Sequence, residues 1–228
     1  MLSDIFSSFD EQNGNLVNFI FIWFFSLFFI FFFCFFWVKG SRLSIFVDFF
    51  FYVWSQVLQS FGFFIRGFSY FIISFFFLLV FLNFMGLVPY VFSVTSHLIF
   101  TFSLGIVLWL GLLLSSFFWS SISFFSHFLP SGAPSVLNPF LVLVETVSVG
   151  VRPITLSVRL AANMGAGHIV IGLVGTYLVG SFFSFSLTSG FFLFFVESFY
   201  FIFEFGICLI QAYIFSLLLI LYSDEHSK

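Results

Sequence analysis

The residues able to do chemistry in this chain are few and closely spaced. The stretch VRPITLSVRLAANMGAGH (151–168) carries Arg152, Arg159, Asn163 and His168. The apolar run before it, NPFLVLVETVSVG (138–150), holds one carboxylate, Glu145, and the run after it (169–180) holds no charge. A guanidinium keeps its proton at any physiological pH, so Arg159 cannot relay protons. It can attract a carboxylate, hold it ionised, and stand as a positive barrier between two watered half-paths. His168 titrates near neutrality in its ordinary range, so beside a carboxylate it can load and unload a proton. An arginine at the centre of a membrane helix costs about 2.5–3.5 kcal/mol on insertion scales, which makes Arg159 a functional hypothesis by default.

Helical spacing sorts these groups. At about 100° per residue, Arg152 lies roughly 20° from Arg159, and Asn163 and Glu145 about 40° away. Glu145 and Arg152 are two turns apart, too far for a direct pair along one helix, and are expected to be separate points on one path. His168 falls about 180° from Arg159 and faces something else unless the helix bends, which Gly165 and Gly167 make cheap. Further on, Glu197, Glu204 and Gln211 repeat at seven and form one stripe, with Tyr200 one turn before Glu204. The linking segment SFFSFSLTSG (181–190) is rich in Ser and Gly. A turn centred near residue 186 makes an antiparallel hairpin in which facing residue numbers add to about 372. His168 then faces Glu204, and Arg159 lies within a turn of Gln211. Buried ion pairs also serve as helix glue, but seven polar groups aligned on two helices favour a proton path.

The elements that must position these groups are membrane helices. The chain has 228 residues, 62% hydrophobic and 7% charged, whereas soluble domains carry about 25% charged residues. The apolar runs are continuous, which argues against a β-barrel. The reading is an all-α membrane protein with about five membrane helices and one interfacial amphipathic helix, the last two spans forming a long tilted antiparallel hairpin. As one membrane domain over 1–228, it divides into a span at 16–38, an interfacial helix at 42–66, spans at 67–88 and 98–119, a loop at 120–138, and the hairpin helices at 139–181 and 190–222. In 42–66, Asp48, Ser55, Gln59 and Arg66 fall within roughly 20° of one line on an otherwise apolar helix, which suits the membrane surface; a second span with a buried stripe is the alternative.

Acidic residues precede the first span, and Lys39 and Arg42 follow it, so the positive-inside rule places the N-terminus outside. Five spans then put the C-terminus inside. The N-terminus resembles neither a transit nor a signal peptide. The 48 phenylalanines read as a coding bias of an organellar gene. Cys34 and Cys208 read as plain membrane residues. His97 reads as interfacial and His127 as a solvated loop residue.

The segments LVLVETVSVGVRPITLSVRLAANMGAGH (141–168) and EFGICLIQAYIFSLLLILY (204–222), with NFMGLVP (83–89) and FLPSGAP (128–134), resemble subunit a of the F-type ATP synthase in its mitochondrial form. The resemblance covers about residues 80–222; residues 1–79 match in layout only. It implies that Arg159 opposes the carboxylate of a rotating ring of c subunits and that Asn163 and Gln211 help orient it. It implies that His168 and Glu204 serve the outer side in the mitochondrial arrangement and Glu145 the inner side, and it carries Glu197 over only weakly as a proton-translocation residue. The expected role is a non-catalytic, proton-conducting stator subunit in the mitochondrial inner membrane, with its C-terminus on the matrix side. Expected partners are the c ring, other stator and membrane-sector subunits, and lipids; no cofactor, metal or nucleic acid is expected. The rival readings are an ion-coupled secondary transporter and a structural scaffold. A transporter would need a midplane site between symmetric halves, and no internal repeat is visible. The Phe enrichment and the short loop before Pro130 depart from the family pattern.

Overall fold

The computed structural model describes residues 44–65, 67–88, 91–128, 137–183 and 187–224. Six α-helices occur among them: α1 (Ser44–Gln59), α2 (Phe68–Leu87), α3 (Leu98–Trp119), α4 (Ser121–His127), α5 (Asn138–Phe183) and α6 (Leu187–Asp224), with 3-10 turns at Phe61–Phe64 and Val94–Ser96. No strand is present among the described residues. Four helices, α2, α3, α5 and α6, are long and apolar enough to cross a membrane. The protein is therefore an all-α membrane protein. The expected first span, 16–38, lies outside the described residues.

Each boundary has a local cause. α1 is 16 residues long, shorter than the expected 42–66. Ser60 leaves helical geometry with ψ 154°, a 3-10 turn follows, and Gly67 takes a φ of 81° before α2 begins. That left-handed value favours glycine. The stripe expected on this helix includes Arg66, which lies outside the described residues. The stretch expected as loop, 120–138, starts with α4; Ser120, extended at φ −153°, ends α3 and lets a new helix start. α5 runs for 46 residues and α6 for 38, each longer than the 139–181 and 190–222 expected. At 1.5 Å per residue these lengths are about 69 and 57 Å, roughly twice a hydrocarbon core, so both must tilt or project beyond it.

The described residues fall into two compact units. The first contains Phe77–His97 and Leu160–Tyr213. Its interior includes Leu87, Met164 and Cys208, with Phe84 packed against them and stacked on Phe205 at 4.6 Å between ring centroids. The second contains 44–76, Leu98–Arg159 and 214–224. There Phe75 meets Phe215 at 5.3 Å, and Trp54 of α1 meets Tyr70 of α2 at 5.5 Å. Gly105 of α3 packs against α5: a Cβ there would stand in ordinary contact, 3.4 Å from the Pro153 carbonyl oxygen and 3.5 Å from Ser157 Cβ. Small residues at such crossings are how membrane helices gain packing energy without a hydrophobic drive between them.

Candidate functional site

In the first unit the hairpin places α5 against α6 in a constant register. Asn163 Nδ2 donates to Gln211 Oε1 at 2.9 Å. Cys208 Sγ lies 3.8 Å from Met164 Sδ. The Glu204 carboxylate fills the space a Cβ would take at Gly167, Glu197 Oε1 lies 3.6 Å from the Cβ position of Gly175, and Ser181 Oγ is 3.4 Å from that of Gly190. The paired residue numbers add to between 371 and 374, close to the 372 expected from a turn near residue 186.

The register brings Glu204 to Gly167, one residue from the His168 expected opposite it. Glu204 is 1% exposed, and neither carboxyl oxygen has a hydrogen-bond partner among the described residues. A carboxyl group in this setting needs a proton, water or a donor from elsewhere, because an unsatisfied buried polar atom is costly. His168 is half-buried. Its Nε2 turns to α2, 3.7 Å from the Cβ position of Gly86, beside Ser93. Helix α5 continues unbroken through Gly165 and Gly167, so no break is needed at that point. Glu197 is half-buried, two turns before Glu204 on α6.

Sequence reasoning missed two polar groups in this unit. Asn83 is fully buried, donates to the Cys208 carbonyl at 3.3 Å, and has no hydrogen-bond partner for Oδ1 among the described residues. Thr95, also fully buried, has no partner for Oγ1 among them. The available signal for Asn83 was an amide alone in a 20-residue apolar helix. His97 stacks on Phe92 at 4.9 Å. His127 ends α4.

In the second unit, Arg159 is exposed, as are Val151, Ile154, Thr155 and Val158 on the same helix. Among the described residues no ion pair or hydrogen bond reaches its guanidinium. Glu145 and Arg152 depart from expectation. Although seven residues apart, they form an ion pair, Arg152 Nη2 to Glu145 Oε1 at 3.7 Å. The Cα separation of two turns is about 10.5 Å along the axis, but helix side chains lean toward the N-terminus, so an arginine's long stem reaches back over that gap. The Arg152 guanidinium also lies 5.3 Å from the centre of the Tyr222 ring on α6. No group of three or more His, Cys, Asp or Glu residues able to hold a metal occurs among the described residues.

The family model for the ATP synthase A chain matches residues 16–224. The chain belongs to the ATP synthase A chain family. Among relatives called ATP synthase subunit a, the protein of Locusta migratoria is 36% identical over 239 residues, covering 99% of both chains. That of Drosophila melanogaster is 35% identical over 235 residues, again with 99% of each covered. The Albinaria caerulea protein is 42% identical over 149 residues, 65% of this chain and 68% of its own. The family match takes in α1 to α6 and also residues before the described region.

Proposed function

We propose that this chain is the proton-conducting stator subunit of an ATP synthase membrane sector, working against a rotating ring of c subunits in the mitochondrial inner membrane. Arg159 separates two half-channels. Glu204 and His168, with Glu197 toward the entrance, serve the outer half, and Glu145 serves the inner half. Asn163 and Gln211 form a polar rung on the hairpin. A proton crosses by riding a ring carboxylate that Arg159 holds ionised until it is reprotonated, and each crossing contributes about 2.3 kcal/mol per 100 mV of membrane potential. The subunit is non-catalytic; ATP chemistry takes place elsewhere in the complex, and the C-terminus faces the matrix.

The observation that carries this reading is the exposed guanidinium of Arg159 on an apolar helix, with no ion pair among the described residues. A fixed charge at membrane depth needs a partner, and a carboxylate brought by another subunit would supply one. Substituting Arg159→Ala in the intact complex tests it. Coupled ATP synthesis is expected to stop, while the detached soluble head still hydrolyses ATP. Persistent coupled synthesis would refute the reading.

A further inference from the structure

We propose that Arg152 is a positioning residue for Glu145, and that the ring of Tyr222 holds it in that role. The inference rests on the reading of Glu145 as the inner-side carboxylate of the proton path.

Three observations from one unit converge. Arg152 Nη2 stands 3.7 Å from Glu145 Oε1, with the side chains 26% and 40% exposed respectively. That distance is an ion pair rather than a tight hydrogen bond, so the carboxylate is attracted without being locked. The Arg152 guanidinium lies over the Tyr222 ring at 5.3 Å, within the range of a cation–π contact. The ring limits where a long, flexible arginine can swing. Finally, Pro153 follows within the helix. It has no N–H to give the carbonyl of Val149, one turn back. The segment from Glu145 to Arg152 thus carries a carboxylate, a guanidinium and a backbone carbonyl to which Pro153 gives no N–H.

Together these features make a small polar site on an apolar helix. Glu145 remains half-exposed and accessible to exchange protons, while Arg152 fixes where its carboxylate waits. Among the described residues, the charged groups nearest to these in sequence are Arg159, seven residues further on α5, and Asp224, two residues past Tyr222 on α6. Tyr222 belongs to the last two turns of α6, so the contact also anchors the end of that helix beside the inner carboxylate.

The test uses the intact ATP synthase in membrane vesicles, reading ATP-driven proton uptake and the amount of assembled complex. Arg152→Gln is expected to slow proton uptake about tenfold without loss of assembled complex. Arg152→Lys, which keeps the charge, is expected to restore the rate to within about twofold of the unsubstituted complex. In a Glu145→Gln background, Arg152→Gln is expected to add no further slowing, because a positioning residue has nothing left to position. Tyr222→Phe keeps the ring and should leave the rate unchanged, whereas Tyr222→Leu should slow it about threefold.

A full rate in Arg152→Gln alongside a slow Glu145→Gln overturns the proposal and leaves the path intact, and so does additive slowing in the double variant. A full rate in Glu145→Gln removes the path reading and this proposal with it. If Arg152→Gln fails to assemble, the tyrosine pair decides: equal rates for Tyr222→Phe and Tyr222→Leu overturn the role of the ring.

Discussion

At the scale of single residues, Glu204 and Gly167 make the sharpest statement. The carboxylate occupies the space a side chain at 167 would need. Gly167→Ala is therefore expected to displace Glu204 and to cost about 1–3 kcal/mol, as overpacking does. Thermal unfolding of the isolated complex reads the stability, and proton uptake reads the loss of function. Removing the carboxyl by Glu204→Ala should slow conduction by at least about tenfold, the lower end of what a positioned acid or base contributes being larger still; a full rate would take Glu204 off the path. Glu204 was legible in the sequence because an acid or base inside an apolar run stands out by its cost. The Arg152–Glu145 pair was not legible, since counting turns between Cα atoms ignores how far an arginine leans back along its helix. Asn83 was overlooked because a single amide in a long apolar helix has no periodic partner to mark it.

At the scale of elements, α5 and α6 keep one constant register. The serine and glycine content of 181–190 predicts a centre near 186, and every pairing described between the two helices in the first unit agrees with it to within two residues. Residues 167 and 168 differ by only about 1.5 Å along the helix but by about 100° around it. Gly167 therefore faces Glu204 on α6, while His168 turns toward Gly86 on α2. The Asn163–Gln211 bond pins the rung nearest Arg159 in sequence. Gln211 is only 4% exposed, so Asn163→Ala leaves a buried amide without its donor and should destabilise the complex by about 1–3 kcal/mol. Asn163→Ala with Gln211→Ala is expected to cost less than the two single losses added together, since the pair is one interaction counted twice; strict additivity in melting experiments would show that the rung is not coupled. The short α4 and the early end of α1 escaped sequence reading because both depend on serine backbone geometry at residues 120 and 60, and serine is common enough in this chain to mark no boundary by itself.

At the scale of the whole molecule, the question is what covers α5. Around Arg159, Leu156, Ser157 and Leu160 are buried, whereas Ile154, Thr155, Val158 and Arg159 are exposed. That exposed face must meet lipid or another subunit, and the charge on it favours a subunit. With Cys34 and Cys208 replaced, a cysteine at Val158, one residue before Arg159, is expected to form a disulfide with a cysteine on the outer helix of a ring subunit in the intact complex. A cysteine at Ile122 on α4, exposed at 86%, should not. Cross-linking read on a denaturing gel checks both, and a cross-link from Ile122 alone would move the ring to a different face. The all-helical membrane class was legible from composition, since no soluble fold could hide so much apolar surface. The faces of α2 and α3 were not legible, because nearly uniform phenylalanine and leucine leave no polar stripe on them to distinguish lipid from protein.

Gly167 and Glu204 also behave as joint tenants of one small room. Neither position is free to change size by itself: a methyl group at 167 is admissible only if the acid at 204 withdraws by a carbon. Gly167→Ala combined with Glu204→Asp should therefore recover packing that Gly167→Ala alone loses, and among relatives the bulk at these two positions should rise and fall in opposition.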